Sequence, residues 1–224
     1  MEEKKETRKR VLAARDAIPA RERELRSAQA CRMLERYLEE RLAENIPLAC
    51  EDTLTCGAFV VGVYSAMKSE VSLSAFADAA FARGWHVCFP CMVKEASEAS
   101  EASEALTVST RSRTCMEFFL VSRSQMERAC KAFLSHPLRS FAGEELERQG
   151  FRCVAPHEID AVVVPMVAFD AHNNRLGYGG GNYDRFLPQL REGAVVVGVA
   201  FKEQKIPAVP LEPHDLPLPF IVQA

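Results

Sequence analysis

Apolar positions along this chain of 224 residues fall into two rhythms, one recurring every three or four residues and one of short unbroken runs. The first governs the amino-terminal part. Residues 3–17 are strong helix formers, and Pro19 interrupts them where a new helix can begin without losing an N–H that it needs. Leu25, Ala28, Cys31, Leu34, Leu38 and Leu42 then recur at helical spacing, which predicts a second helix to about Asn45 with one apolar stripe.

The second rhythm predicts strands. Residues 57–64 (GAFVVGVY) form a glycine-bounded apolar run, followed by a helical stretch that Ser72 can cap and Gly84 can end near Arg83, and then by another apolar run at 85–90. Strand, helix, strand in that order implies parallel pairing and an α/β class. Residues 161–169 (AVVVPMVAF) are the most apolar run and read as a central strand, although Pro165 cannot donate to a ladder. Residues 194–201 (AVVVGVAF) make a further strand, residues 106–109 and 117–121 look like strand pieces, and 124–134 like a helix. Residues 95–104 repeat Glu-Ala-Ser with nothing apolar larger than alanine, so 94–105 is expected to be an exposed low-complexity insert in a single domain spanning 1–224.

Charge narrows the choice of partners. Lys plus Arg number 28 and Asp plus Glu 31, a net charge of −3 that gives no global pull toward nucleic acid or an acidic membrane face. Any anion must be held locally. The charged first ten residues do not look like a secretory signal, and no run reaches the roughly 18 apolar residues of a spanning helix, so a cytoplasmic protein is expected. Eight scattered cysteines in a chain of this size are expected to be thiols.

The densest chemical signal is residues 175–187, RLGYGGGNYDRFL, with four glycines within five residues after an apolar run and before a helical pattern that starts near Asn182. Glycines let backbone approach a ligand and aim successive N–H groups outward, and a helix start adds partial positive charge, so an anion such as phosphate would fit. A flexible surface turn is the bland alternative. Arg175, Tyr178, Tyr183, Asp184 and Arg185 argue against it, because a mere turn does not need them. Neither Walker A nor the dinucleotide GxGxxG pattern is matched. Cys88 and Cys91 make an isolated Cys-x-x-Cys without a second pair, and Ser65 to Lys68 fits Ser-x-x-Lys without its companion motifs; both read as chance.

Residues 165–170 (PMVAFD) followed by this turn resemble the hallmark of the 5-formyltetrahydrofolate cyclo-ligase family, Pro-Gly-Val-Ala-Phe-Asp and then Arg-Leu-Gly-x-Gly-Gly-Gly-x-Tyr-Asp-Arg. Lys4 and Arg8, with Arg15 following, reproduce its Lys-x-x-x-Arg; Met67 and Glu70 follow the first strand; VGVAFKEQ with Gln204 and PHDLPL with His214 and Asp215 resemble its closing signature. Departures are Met166 for glycine, Asn182 at a place often aromatic, and no recognisable Gly-Ile-x-Glu-Pro around residues 136–145.

The resemblance implies a three-layer α/β/α fold with a mixed, mostly parallel sheet, and an enzyme that converts 5-formyltetrahydrofolate to 5,10-methenyltetrahydrofolate with ATP and Mg2+. It implies that Lys4, Arg8, Arg175 and the backbone of Gly177, Gly179, Gly180 and Gly181 hold the nucleotide's phosphates. Tyr183 would act on the transferring group beside Arg175, and Asp184 and Asp215 would lie near the metal. Glu70, Met67, Tyr178 and Asn182 would line the folate. Small molecules are the expected partners of an expected monomer, with neither nucleic acid nor membrane. A nucleotide-binding regulatory protein, or another small-molecule kinase or ligase on this scaffold, stays open as an alternative.

Overall fold

Helical spacing at the amino end produces α1 (Glu2–Asp16) and α2 (Ala20–Glu44) in the computed structural model, which describes residues 2–44, 58–94, 114–127, 133–137, 139–212 and 215–224. The buried stripe of α2 is Ser27, Ala30, Cys31, Leu34, Leu38 and Leu42. Leu25 lies on the opposite side of the helix and is exposed, which corrects the start of the expected stripe.

The next elements are β1 (Val60–Gly62), α3 (Ser74–Ala82) and β2 (His86–Lys94), and β1 and β2 pair in parallel as expected. Ser72 is not the cap of α3: that position is Leu73, and Ser72 Oγ reaches the Ser74 N–H only at 3.5 Å. Gly84 does end the segment, with a left-handed φ of +76° that glycine adopts without steric cost.

There follow β3 (Thr114–Leu120), α4 (Arg123–Glu127), β4 (Ser140–Phe141), α5 (Gly143–Arg148), β5 (Cys153–Val154), β6 (Ala161–Val164), β7 (Ala168–Phe169), β8 (Arg175–Leu176), α6 (Asn182–Phe186), β9 (Val195–Ala200) and β10 (Phe220–Gln223). The main sheet runs β10-β9-β6-β1-β2-β3-β5, with β4 beside β2. It is parallel from β10 to β2 and antiparallel at β3 and β5, a mixed and mostly parallel sheet. The Glu-Ala-Ser repeat, the strand expected at 106–109, much of the helix expected at 124–134, and His214 lie outside the described residues.

Alternation along the strands divides the core between the two faces. Val61, Val87, Phe119 and Val163 pack with α2 and α3, whereas Val60, Cys88, Phe118 and Val162 pack with Phe186 and its neighbours. Cys88 and Cys91 therefore sit in different core clusters, and burial pushes both thiols up, Cys91 to about 12. A reactive thiol pair would need the opposite. The five described cysteines are thiols, and among the described residues no helix is long and apolar enough to cross a membrane.

Pro165 divides the apolar run at 161–169. β6 stays in the sheet to Val164, and Ala168–Phe169 leaves it to pair with Arg175–Leu176 as a separate antiparallel ribbon. Proline has no N–H for the ladder, so the break falls where the chemistry requires. Gln204 spans it: its Nε2 donates to the carbonyls of Met166 (2.7 Å) and Val167 (3.1 Å), and its Oε1 accepts the Phe201 N–H. Val11 of α1 packs on Val167, Ala168 and Leu176, which brings the basic side of α1 against the ribbon and the glycine turn that follows it.

Candidate active site

The ribbon aims the turn at a cavity of about 1040 Å3, where Tyr64 and Ser65 follow β1, Pro165 follows β6, and α1 closes one side. Ligands in open α/β sheets bind at the carboxyl ends of parallel strands, where loops diverge. Every residue the sequence singled out for the site lines this one cavity: Lys4, Arg8, Met67, Glu70, Arg175, Gly177, Tyr178, Gly179, Gly180, Gly181, Asn182, Tyr183, Asp184 and Asp215.

Two glycines need their freedom. Gly179 and Gly181 have φ of +101° and +63°; a Cβ on Gly179 would come within 3.4 Å of the Arg8 guanidinium, and one on Gly181 within 2.9 Å of Arg185. Arg8 Nε donates to the Gly177 carbonyl at 2.8 Å, and Arg185 Nη2 donates to the Gly180 carbonyl and to Asn182 Oδ1, each at 2.8 Å. Asn182 also donates to Met92 Sδ at 3.4 Å. The helix expected here, α6, is five residues long, so the turn's own N–H groups matter more than any helix dipole.

Charges around the cradle are paired. Arg175, with only 6% of its side chain exposed, donates from Nη2 to Asp184 Oδ1 at 2.6 Å. Lys4 Nζ lies 2.7 Å from Asp215 Oδ2 and 3.1 Å from Glu212 Oε2. Partial burial lowers the Lys4 pKa, but hydrogen bonds to Asp215 and Glu212 outweigh it and hold the ammonium above its ordinary value. Two carboxylates suit a Mg2+ that brings phosphate oxygens and water for the remaining positions, the usual mode for that ion. Asp184 and Asp215 fit on that condition alone, because among the described residues no group of three or more His, Cys, Asp or Glu is placed to hold a metal.

A second cluster in the cavity is built around Glu70. Its Oε2 accepts the Met67 N–H at 2.7 Å and its Oε1 accepts the Tyr178 hydroxyl at 2.6 Å. Burial raises the carboxyl pKa, and these two donors, together with the charge of Arg15, only partly offset that. Met92 and Met116 stand directly across from each other on β2 and β3 and give this part an apolar, deformable wall.

Three buried side-chain polar atoms among the described residues have no hydrogen-bond partner: Arg15 Nη1, Arg175 Nε and Tyr183 Oη. All three belong to residues lining this cavity, and all three can donate. Burial, followed by the nearby negative charge of Glu70, pushes the Tyr183 phenol far up, so it stays protonated. Leaving a buried donor unpaired costs about 1–3 kcal/mol. A ligand rich in acceptor oxygens relieves that cost.

Sequence reasoning did not assign roles to Tyr64, Met92, Met116 or Glu212, which also line the cavity, and it noted Arg15 without giving it one. For Arg15 a signal existed, since Lys4, Arg8 and Arg15 are spaced by four and seven and share one helical face. The paired methionines depend on the register of β2 against β3, which no local pattern reveals. Gln204 and Asp170, part of the apparent signatures, are structural. Asp170 accepts from the N–H groups of His172, Asn174 and Val209 and from the Asn174 side chain.

Residues 1–224 match the model of the 5-formyltetrahydrofolate cyclo-ligase family. A 5-formyltetrahydrofolate cyclo-ligase of Haemophilus influenzae is 43% identical over 63 residues, which is 28% of this chain and 34% of that protein. One of Saccharomyces cerevisiae is 41% identical over 70 residues, 29% of this chain and 33% of that protein. These alignments span about a third of the curated relatives they match. A 5,10-methenyltetrahydrofolate synthetase structure from Aquifex aeolicus superposes with a TM-score of 0.62 at 24% identity, covering 98% of this chain and 89% of the other. One from Mycoplasma pneumoniae gives 0.60 at 20% identity, covering 98% and 97%. At those identities the likeness shows a shared fold.

Proposed function

Because the chain belongs to the 5-formyltetrahydrofolate cyclo-ligase family, we propose that it closes the formyl group of 5-formyltetrahydrofolate onto the neighbouring nitrogen. ATP is the phosphoryl donor, and the products are 5,10-methenyltetrahydrofolate, ADP and phosphate. The observation that carries this reading is the clustering of the three unpartnered buried donors in one cavity. Donors of this kind suit a phosphorylated, carbonyl-bearing substrate pair, which is rich in acceptor oxygens.

The chemistry needs such a site. An N-formyl oxygen is a poor leaving group at neutral pH, so it first takes the γ-phosphoryl group; the second nitrogen then attacks the formyl carbon, and the C–O bond breaks to release phosphate. Phosphoryl transfer depends on positioning and on cations around the moving oxygens. Lys4, Arg8 and Arg175 supply the cations, and the N–H groups of Gly177, Gly179, Gly180 and Gly181 supply further donors. Tyr183 Oη, a buried and protonated phenol, donates to the transferring group. Mg2+ held beside Asp184 and Asp215 would neutralise phosphate charge. Because both carboxylates already engage Arg175 and Lys4, an incoming phosphate shares those cations rather than meeting bare ones.

Glu70 faces the folate, oriented by the Tyr178 hydroxyl and the Met67 N–H, and its raised pKa suits a group that handles a proton near the attacking nitrogen. Met67, Tyr178 and Asn182 line the ring system, with Met92 and Met116 as its apolar wall. A cytoplasmic location goes with this reading, since thiols such as those described here persist in reducing compartments. The test is direct: with 5-formyltetrahydrofolate, ATP and Mg2+ the methenyl product is followed by its absorbance. Product formation that requires all three supports the proposal, and ATP-independent or absent conversion refutes it.

A further inference from the structure

Arg15 sits in the last turn of α1 with 1% of its surface exposed, the largest fully buried side chain in the described structure, and it belongs to the wall of the cavity. Its Nε donates to Ser69 Oγ at 3.0 Å, and the Ser69 hydroxyl in turn donates to the Asp16 carboxylate. The guanidinium lies 5.9 Å from the centroid of the Tyr178 ring. Nη1 has no partner.

We infer that Arg15 is a further substrate-binding residue, whose Nη1 donates to a neutral carbonyl oxygen of the reduced folate. Two features set the class of ligand. Asp16, reached through Ser69, and Glu70, the next residue along, already flank the guanidinium with two carboxylates. An added phosphate or carboxylate would meet net negative charge there, whereas a carbonyl oxygen accepts a hydrogen bond without adding charge. The second feature is distance. Arg8 and Arg15 are seven residues apart on one helix, about 10 Å along its axis at 1.5 Å per residue. Arg8 meets the glycine turn and Arg15 meets Tyr178 and Ser69. Helix α1 thus spans the cavity from the phosphate end to the folate end, with a different donor at each.

This inference rests on the cyclo-ligase reading, and the experiment separates the two. Dissociation constants are measured by calorimetry for 5-formyltetrahydrofolate, 5-methyltetrahydrofolate and ATP, using the unmutated protein and Arg15→Lys. Lysine keeps the charge and can reach Ser69, but it lacks the second arm of the guanidinium. Arg15→Lys is expected to weaken folate binding about tenfold or more, the effect of a lost charge-assisted hydrogen bond, and to leave ATP binding within about twofold.

Equal weakening of both folates assigns the acceptor to a carbonyl that both carry, on the ring or the benzoyl amide, and weakening of the formyl compound alone assigns it to the formyl oxygen; either supports the inference. Unchanged folate binding overturns it, as does an equal fall in ATP affinity, which would mark Arg15 as purely structural. If the unmutated protein binds neither folate, the cyclo-ligase reading itself fails and takes this inference with it. Should Arg15→Lys not fold, a crystal of the unmutated protein with 5-formyltetrahydrofolate decides. A ligand carbonyl oxygen within about 3.2 Å of Nη1 supports the assignment, and Nη1 without one overturns it.

Discussion

The Tyr178 hydroxyl donates to Glu70 Oε1 across 2.6 Å, tying the glycine turn to the loop after β1, 108 residues earlier in the chain. The bond makes the glycine turn and the Glu70 carboxylate parts of one unit. Movement of either is felt by the other.

Tyr178→Phe removes that donor and leaves the ring. A hydrogen bond to a charged group contributes about 1.5–3 kcal/mol, so the Michaelis constant for the folate should rise roughly tenfold. The Glu70 carboxyl, already raised by burial, loses one of the contacts that lower it and should move higher still. A carboxyl whose folded pKa lies above its unfolded value adds stability while protonated, and that contribution is lost as pH rises through the folded pKa. Ligand-free Tyr178→Phe should therefore go on losing stability to a higher pH than the unmutated protein, and Glu70→Gln should lack this component. Denaturant melts between about pH 4 and 8 measure both, and identical profiles would contradict the assignment.

Arg8, proposed to hold the nucleotide, makes a second link to the turn, donating to the Gly177 carbonyl at 2.8 Å. Arg8→Met keeps the packing stem and loses the guanidinium, so the Michaelis constant for ATP should rise about tenfold or more while that for the folate stays within about twofold. A rise confined to the folate would mean that the two ends of the cavity have been assigned the wrong way round.

Particular residues show why parts of this architecture can be read from the chain and others cannot. Leu34, Leu38 and Leu42 mark α2 because one local period decides burial. Val60 to Gly62 and Ala161 to Val164 are apolar on both faces and mark parallel strands for the same reason. Pro165 announces the break in the next run, but nothing local says that Ala168–Phe169 turns back to pair with Arg175–Leu176. Gly177, Gly179, Gly180 and Gly181 with the flanking charges announce an anion site. Their carboxylate partners do not: the Lys4 contact with Asp215 closes 211 residues of sequence, and only the fold brings it about.

Met166, a departure from the glycine of the resembled motif, has its own structural counterpart. A Cβ on Gly198 would lie 2.3 Å from Met166 Cε and 2.8 Å from Leu218 Cδ1, so the glycine makes room for the methionine. Both sit in a filled core where added volume has no outlet. Gly198→Ala should cost about 1–3 kcal/mol of stability. Adding Met166→Ala should not restore it, because the Leu218 contact remains and the truncated methionine leaves a cavity. Equal melting temperatures for Gly198→Ala and the unmutated protein would show that Met166 has another place to go.

The proposed division of labour, Asp184 toward the metal and Glu70 toward the folate, can be separated by one titration. Asp184 follows the glycine turn, holds Arg175 at 2.6 Å, and lines the same cavity as Lys4 and Asp215. Asp184→Asn keeps an acceptor for Arg175 but removes the negative charge that Mg2+ needs. The half-saturating Mg2+ concentration should therefore rise several-fold and turnover should fall, while folate binding measured without ATP stays nearly intact. Glu70 is held instead by the Met67 N–H and the Tyr178 hydroxyl. Glu70→Gln should weaken the folate by about 1.5–3 kcal/mol and leave the Mg2+ dependence where it was. A half-saturating concentration that rises equally in both variants, or in neither, would show that the two carboxylates do not serve separate ends of the cavity, even in an active cyclo-ligase.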